Sequence, residues 1–190
     1  MRLVPWQPED LARRLDDVLE VYGEAMGYPD ELLEARRGYI ASHVRRPGFR
    51  AVATLTNDGQ LAGFGYGYTS MPGQWWHDQV RARLDEAARQ RWLTDCFEVV
   101  ELHVRPAVQG HGLGDRQLRA LLAMAPGSTT LLSTPEADER TSRAWRLYRR
   151  YHFVDVLRDF YFPGDHRAFA VLGRDLPLSP RDQAGRQVTG

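Results

Sequence analysis

Apolar residues recur at helical spacing through the first 44 positions of the chain. One predicted helix covers residues 8–26 and ends at Gly27, and a second covers residues 30–44 and ends before Pro47-Gly48. The pattern therefore predicts two amphipathic helices ahead of the first strand.

A hairpin follows these helices. Strands are predicted at 50–56 and 61–69, joined by a turn at 57–60 that contains the dipeptide Asp-Gly. In the second strand, alternation puts three aromatic residues on one face and three glycines on the other, where the backbone can be approached closely. The aromatic residues are Phe64, Tyr66 and Tyr68, and the glycines are Gly63, Gly65 and Gly67.

The rest of the chain alternates between helical and extended patterns. An amphipathic stretch at 75–92 places Trp76, Val80, Leu84 and Ala87 on one stripe. Two strand-to-helix crossovers then imply a parallel component in a mixed sheet, hence an α/β fold with a splayed sheet of six or seven strands between helices. We expect one domain over residues 1–177 and a polar tail over 178–190. The remaining predicted elements are a buried strand at 96–104, a helix ending at 126–127, a strand at 129–133, a helix at 144–151, and hairpin strands at 153–162 and 167–173.

Composition narrows the class of protein. The 190 residues are 43% hydrophobic and 26% charged, as in ordinary soluble domains. Basic and acidic residues number 25 each, so no overall field attracts nucleic acid or an anionic membrane. One cysteine and the lack of any apolar run of about 18 residues favour a cytoplasmic protein.

Three glycines, at positions 110, 112 and 114, follow the strand predicted at 96–104. Glycines let the backbone approach a ligand, and the N–H groups of a following helix then form an anion site. A Walker loop requires Gly-Lys-Ser/Thr where Leu113-Gly114-Asp115 stands, and a dinucleotide fingerprint requires the spacing G-x-G-x-x-G. The loop therefore predicts a site for pyrophosphate that is neither a Walker loop nor a dinucleotide-binding fingerprint.

The loop and the strand before it resemble the GNAT N-acetyltransferase superfamily. Val104-Arg105-Pro106 and Gln109-Gly110-His111-Gly112-Leu113-Gly114 match a Val-x-Pro-like strand end and the motif Gln/Arg-x-x-Gly-x-Gly/Ala. Residues 144–153 resemble a second family segment, Ala-x-x-Leu-Tyr followed by Gly-Phe. His152 departs from this segment, because it stands at the helix-ending glycine, although histidine tolerates the left-handed conformation. Thr141 stands where an asparagine is frequent, and the resemblance covers roughly residues 1–175.

The resemblance implies acetyl-coenzyme A as co-substrate, with its pyrophosphate at the glycine loop and its pantetheine arm along the end of the strand 96–104. No metal is expected. The residues implied to contact the cofactor are Leu102, His103, Val104, Gln109, Gly110, His111, Gly112, Leu113, Gly114, Asp115 and Tyr148.

Transfer to an amine requires a base and an acid. Tyr148, at the tyrosine of the second family segment, is the candidate that protonates or hydrogen-bonds the leaving thiolate. Glu98 is the first candidate base, because it occupies the strand position where related enzymes carry an acid or histidine, and Glu101 or water are the alternatives. With no activated nucleophile visible, direct attack in a ternary complex is expected over a ping-pong route.

The acceptor is left open by the sequence. Tyr66, Tyr68 and Trp76 are candidates for the wall of its pocket, against the alternative of ordinary core packing. Small metabolites, antibiotics, polyamines and peptide or protein amines all fit, whereas nucleic acid and membrane partners do not. Homodimerisation through the last hairpin is compatible with the fold. Two rival functions are a non-catalytic coenzyme A sensor and an acyltransferase that uses a longer acyl-coenzyme A.

Overall fold

The computed structural model describes residues 1–180 and residue 182 of the chain. Within these residues the chain forms seven strands and seven α-helices. In chain order they are β1 (Arg2–Trp6), α1 (Pro8–Arg13), α2 (Leu15–Met26), α3 (Asp30–His43), β2 (Arg50–Leu55), β3 (Leu61–Ser70), α4 (Trp75–Arg83), α5 (Glu86–Leu93), β4 (Cys96–Val104), α6 (Leu113–Met124), β5 (Thr129–Pro135), α7 (Arg143–Arg150), β6 (Val154–Phe160) and β7 (Phe169–Asp175).

The strands form one mixed sheet in the order β1-β2-β3-β4-β5-β7-β6. β4 and β5 pair in parallel, whereas β1 with β2, β2 with β3, β5 with β7, and β6 with β7 pair antiparallel. The predicted α/β fold with a mixed sheet of six or seven strands is confirmed. The parallel pairing of β4 with β5 covers three residue pairs, from Cys96–Thr129 to Glu98–Leu131.

The chain divides into two compact units. The first contains residues 1–68 and 99–125, and the second contains residues 69–98 and 126 onward. The boundary falls inside β4, between Glu98 and Val99. Each unit has its own apolar core.

The core of the first unit lies between the aromatic face of β3 and the first helices. Phe64 and Tyr66 are fully buried there, and Val100 of β4 packs against the same cluster. On the opposite face of β3, a methyl group on Gly63 would lie 2.6 Å from both the carbonyl oxygen of His103 and Nε2 of Gln117. The predicted close approach to the glycine face is confirmed, and the approaching groups are β4 and α6 of this chain.

The core of the second unit joins α4 and α5 to β5, β6 and β7. Trp76, Val80 and Leu84 are buried in it as predicted, but Ala87 is exposed. The single predicted stripe was wrong at this point because the stretch forms two helices, and Asp85 begins the second by accepting a hydrogen bond from the Ala88 amide (2.8 Å).

Other differences lie at the ends of elements. The predicted helix at 8–26 is broken at Arg14, whose N–H bonds the carbonyls of Asp10 and Leu11 at the end of α1. β1 was not predicted, because its five residues are stabilised by pairing with β2 rather than by their own pattern. Gly27 ends α2 as predicted, and the structure shows that it adopts the left-handed conformation.

The end of the chain is partly described. Leu178 is buried, and the carboxylate of Asp182 lies 3.3 Å from Nη2 of Arg174. The predicted tail at 178–190 otherwise lies largely outside the described residues, which omit 181 and 183–190.

Candidate active site

The glycine loop turns directly into α6. Gly110 and Gly112 have φ angles of 88° and 71°, a region that only glycine enters without strain, and Gly112 is the N-cap of α6. A methyl group at either position would meet no other atom within 4 Å. These glycines are therefore required by backbone conformation and leave the space in front of the loop open.

The start of α6 presents N–H groups to that open space. The first N–H groups of any α-helix have no carbonyl within the helix to bond, and the helix dipole adds positive potential there. Gly112 has no side chain to cap them, while Leu113 is buried and anchors the first turn in the core. The arrangement can bind an anion such as pyrophosphate.

Three side chains hold the loop in this shape. Nε2 of Gln109 donates to the carbonyl of Val104 (2.9 Å), which ties the loop to the end of β4. The Nδ1 atom of His111 lies 3.2 Å from the carbonyl oxygen of Val108. Arg105 donates from Nε to the carbonyl of Leu61 (2.7 Å), and its guanidinium also pairs with carboxylates of α2. The loop is therefore braced before any ligand binds.

The last residues of β4 are half-buried. Leu102, His103 and Val104 lie in the stretch after Glu98, beyond the residue pairs that β4 forms with β5. The amide of Arg105 bonds the carbonyl of Ala62 (2.9 Å), so the β3 side of the strand end is occupied. This stretch of β4 is where the resemblance implies a pantetheine arm.

Glu98 lies deep in the second unit. It is 3% exposed and forms the last residue pair between β4 and β5. Burial, with the nearby charge of Glu98 as a smaller cause, raises the pKa of the Cys96 thiol well above its ordinary value. Cys96 therefore stays a neutral thiol and is no candidate nucleophile.

Glu101 and His103 form a pair in the first unit. Oε2 of Glu101 lies 2.6 Å from Nε2 of His103, and the side chains are 17% and 13% exposed. The His103 ring packs edge-on against Tyr22 of α2 (5.1 Å between centroids) and against Phe64 of β3 (5.6 Å). The pair therefore lies against the aromatic face of β3.

Tyr148 lies on α7 in the second unit. It is 9% exposed, and its ring packs against Phe153 at 5.8 Å between centroids. The helix ends as expected from its sequence, since His152 has a φ of 59° and takes the conformation of the absent glycine. Trp145 of the same helix is fully buried.

The three aromatic candidates for the acceptor pocket are buried. Tyr66 and Tyr68 are 0% and 4% exposed, and Tyr66 shares a hydrogen bond with Nδ1 of His43 (3.0 Å). Trp76 lies in the other unit, and its Nε1 donates to the hydroxyl of Ser133 (3.1 Å). Their role toward an acceptor remains a prediction.

Two kinds of feature are absent from the described residues 1–180 and 182. No group of three or more His, Cys, Asp or Glu side chains in them is arranged to hold a metal ion. None of the helices in this part of the chain has the length and apolar character needed to cross a membrane.

Comparison with known proteins bears on the family. Residues 15–153 match the model of the Acetyltransferase (GNAT) family. A GCN5-like protein acetyltransferase from Mycobacterium tuberculosis is 41% identical over an alignment of 202 residues, gaps included, and the alignment covers 93% of this chain and 98% of that protein.

Solved structures bear on the fold. A GNAT-family acetyltransferase from Bacillus cereus superposes with a TM-score of 0.60 at 14% identity, over 92% of this chain and 96% of that one. Arabidopsis thaliana NAA60, in complex with acetyl-CoA, superposes with a TM-score of 0.58 at 16% identity, over 92% and 98%. The fold, the loop before α6 and the family match over residues 15–153 together establish that this chain belongs to the GNAT acetyltransferase family.

Proposed function

We propose that this protein transfers an acetyl group from acetyl-coenzyme A to a primary amine by direct attack in a ternary complex. The observation that supports this most strongly is the glycine loop, in which Gly110 and Gly112 hold left-handed conformations in front of the α6 amides. Pyrophosphate at that position would orient the thioester end of the cofactor along β4.

The end of β4 is the proposed seat of the pantetheine arm. Backbone groups of Leu102, His103 and Val104 would bond its amides, as an added strand would. An N–H of the same stretch would stabilise the oxyanion that forms when the amine attacks the thioester.

The reaction requires two proton transfers. An alkyl ammonium has a pKa of ~10.4, so about one molecule in a thousand is neutral at pH 7, and a base must take up the proton. The proposed base belongs to β4, where Glu98 and Glu101 are the carboxylates, with water as the alternative. Tyr148 is proposed to donate a proton or a hydrogen bond to the thiolate that leaves.

Direct attack is favoured over an acyl-enzyme route. A ping-pong route needs an activated nucleophile. The single cysteine is buried, and its raised pKa keeps it protonated. The amine itself is therefore proposed to attack the thioester.

The proposed acceptor is an amine on a protein. The relative that is 41% identical over nearly its whole length is named a protein acetyltransferase. Small amines, such as polyamines and antibiotics, form the comparison set in the test.

An acetylation screen tests the function. The protein is mixed with acetyl-coenzyme A and, separately, with lysine peptides, peptides with free N-termini, polyamines and aminoglycosides, while thiol release and product mass are measured. Thiol release that depends on the amine, with a mass gain of one acetyl group, is the expected result. Coenzyme A binding without thiol release would instead favour a sensor, and faster turnover with propionyl or succinyl donors would favour a longer acyl group.

A further inference from the structure

The candidate base residues on β4 differ in their surroundings. Glu98 is 3% exposed, whereas the side chains of Glu101 and His103 are 17% and 13% exposed. An acceptor amine has to approach the group that takes its proton to hydrogen-bond distance or through one water. Glu101 and His103 also lie nearer in sequence to Val104, where the cofactor arm is proposed to bind.

We propose that the His103 imidazole, oriented by the carboxylate of Glu101, accepts the proton that the acceptor ammonium loses. The inference rests on the proposed function and names the base that the function leaves open. His103 is then the catalytic residue, and Glu101 is the residue that positions it.

The hydrogen bond between the two side chains determines which nitrogen acts. An ionised carboxylate only accepts hydrogen bonds, so Nε2 of His103 carries the proton that Oε2 of Glu101 accepts at 2.6 Å. The Nδ1 atom then has the lone pair that can take a proton. The carboxylate also stabilises the imidazolium that forms, as the buried acid does in a catalytic triad.

Packing restricts the imidazole to one orientation. Tyr22 of α2 contacts the His103 ring edge-on at 5.1 Å, and Phe64 of β3 contacts it at 5.6 Å. A ring held by two aromatic neighbours and one short hydrogen bond loses little entropy when an acceptor binds. Imidazole is also better matched than a carboxylate to proton transfer near neutral pH.

Other ionisable groups share this side of β3. Glu101 acts on His43, favouring its charged form, while two arginines oppose that form. Because several ionisable groups lie on this side of β3, the test compares variants of both members of the pair. The groups are His43 and Arg36 of α3, Arg46 just after it, Tyr22 of α2, and Tyr66 and Tyr68 of β3.

The proton balance of the step is complete. His103 takes one proton from the ammonium, and the neutral nitrogen attacks the thioester carbon to form a C–N bond. The tetrahedral intermediate collapses with cleavage of the C–S bond. The second proton on nitrogen and the leaving thiolate recombine, directly or through Tyr148, to give the thiol. One proton per turnover finally leaves His103 to solvent.

The test compares pH–rate profiles of the full chain. His103→Gln is expected to lower kcat/KM by about 10²- to 10⁴-fold and to abolish the acidic limb of the profile, with coenzyme A affinity unchanged. Glu101→Gln is expected to give a smaller loss and to move that limb to lower pH, because the imidazolium loses its carboxylate. Glu101→Asp, which keeps a carboxylate, should have a higher kcat/KM than Glu101→Gln. The exposed residue His166 provides the matched control, and His166→Gln should match the wild type.

Several outcomes would overturn the inference. A wild-type profile retained in His103→Gln, or an acidic limb that disappears in Glu98→Gln instead, would assign the base elsewhere while leaving the acetyltransferase function intact. A wild-type protein that releases no thiol with any amine would overturn the proposed function itself. Should His103→Gln fail to fold, as judged by thermal unfolding and coenzyme A binding, an unmoved limb in Glu101→Gln contradicts the pair.

Discussion

Nδ1 of His43 lies 3.0 Å from the hydroxyl oxygen of Tyr66, in the core of the first unit. Burial lowers the pKa of His43 from 6.5 to about 4, partly offset by the charge of Glu101. The ring is therefore neutral in the folded protein at pH values where it is already protonated in the unfolded chain.

This difference predicts an acid-sensitive fold. The unfolded chain binds more protons than the native state between about pH 6.5 and 4, so the free energy of unfolding falls as pH falls through that window. A pKa difference of this size lowers the free energy of unfolding by about 3 kcal/mol once the pH is below both pKa values. Urea unfolding at pH 7 and pH 4.5 measures it.

The control is His43→Gln, which keeps an acceptor for Tyr66 but does not titrate. Burial also lowers the pKa of His77, so part of the acid sensitivity should persist in this variant. An unchanged pH slope in His43→Gln would show that His43 is not a source of the sensitivity.

The close packing on the glycine face of β3 predicts that alanine is destabilising at Gly63 but not at Gly38. In Gly63→Ala the new methyl group would lie 2.6 Å from the carbonyl oxygen of His103, and that backbone cannot move cheaply. The variant should lose about 1–3 kcal/mol, the usual cost of overpacking. Gly38→Ala is the matched control, because it lies in α3 with open space around it and should gain about 0.5–1 kcal/mol. Equal effects in denaturant unfolding would contradict this packing.

The loop before α6 predicts a selective loss of cofactor affinity. Gly112→Ala imposes about 1–2 kcal/mol of strain on a residue with φ of 71°, so coenzyme A should bind about 5- to 30-fold more weakly by calorimetry. Gly112→Asn should lose less, because asparagine tolerates this region. Gly59→Ala has comparable strain in the β2–β3 turn, and any loss of affinity there would indicate a general effect rather than a local one.

If Tyr148 is the acid, its hydroxyl should matter for turnover and not for the binding of coenzyme A. Tyr148→Phe removes the hydroxyl but keeps the ring packed against Phe153, so kcat should fall by about 10²-fold or more while coenzyme A affinity is retained. Tyr161→Phe, at an exposed position of the same unit, is the control and should leave kcat unchanged. Wild-type turnover in Tyr148→Phe would remove Tyr148 from the mechanism.

The buried thiol predicts low chemical reactivity. Cys96 is 1% exposed with a raised pKa, so a thiol reagent such as DTNB should modify the native protein slowly and the denatured protein at once. Rapid modification in the absence of denaturant, with loss of turnover, would reopen the acyl-enzyme route.

The sequence alone predicted those features that depend on local pattern or on motif. The β2–β3 hairpin follows from Asp58-Gly59 between two extended segments, and β4 was predicted with its observed bounds. The glycine loop was recognised because its glycines follow a predicted strand at the spacing of a family motif, and the structure adds that Gly112 is a left-handed N-cap. The same reasoning accepted His152 at the end of α7, where the structure has a positive φ.

Tertiary structure decided the features that depend on partners distant in the sequence. β1 exists because β2, which lies more than 40 residues further along the chain, pairs with it. Tyr22 of α2 and Phe64 of β3 pack against the ring of His103, and Glu101 lies within hydrogen-bond distance of it, in contacts that no local pattern names. Periodicity predicts which side chains of a strand share a face, whereas the groups that pack on that face come from distant parts of the chain.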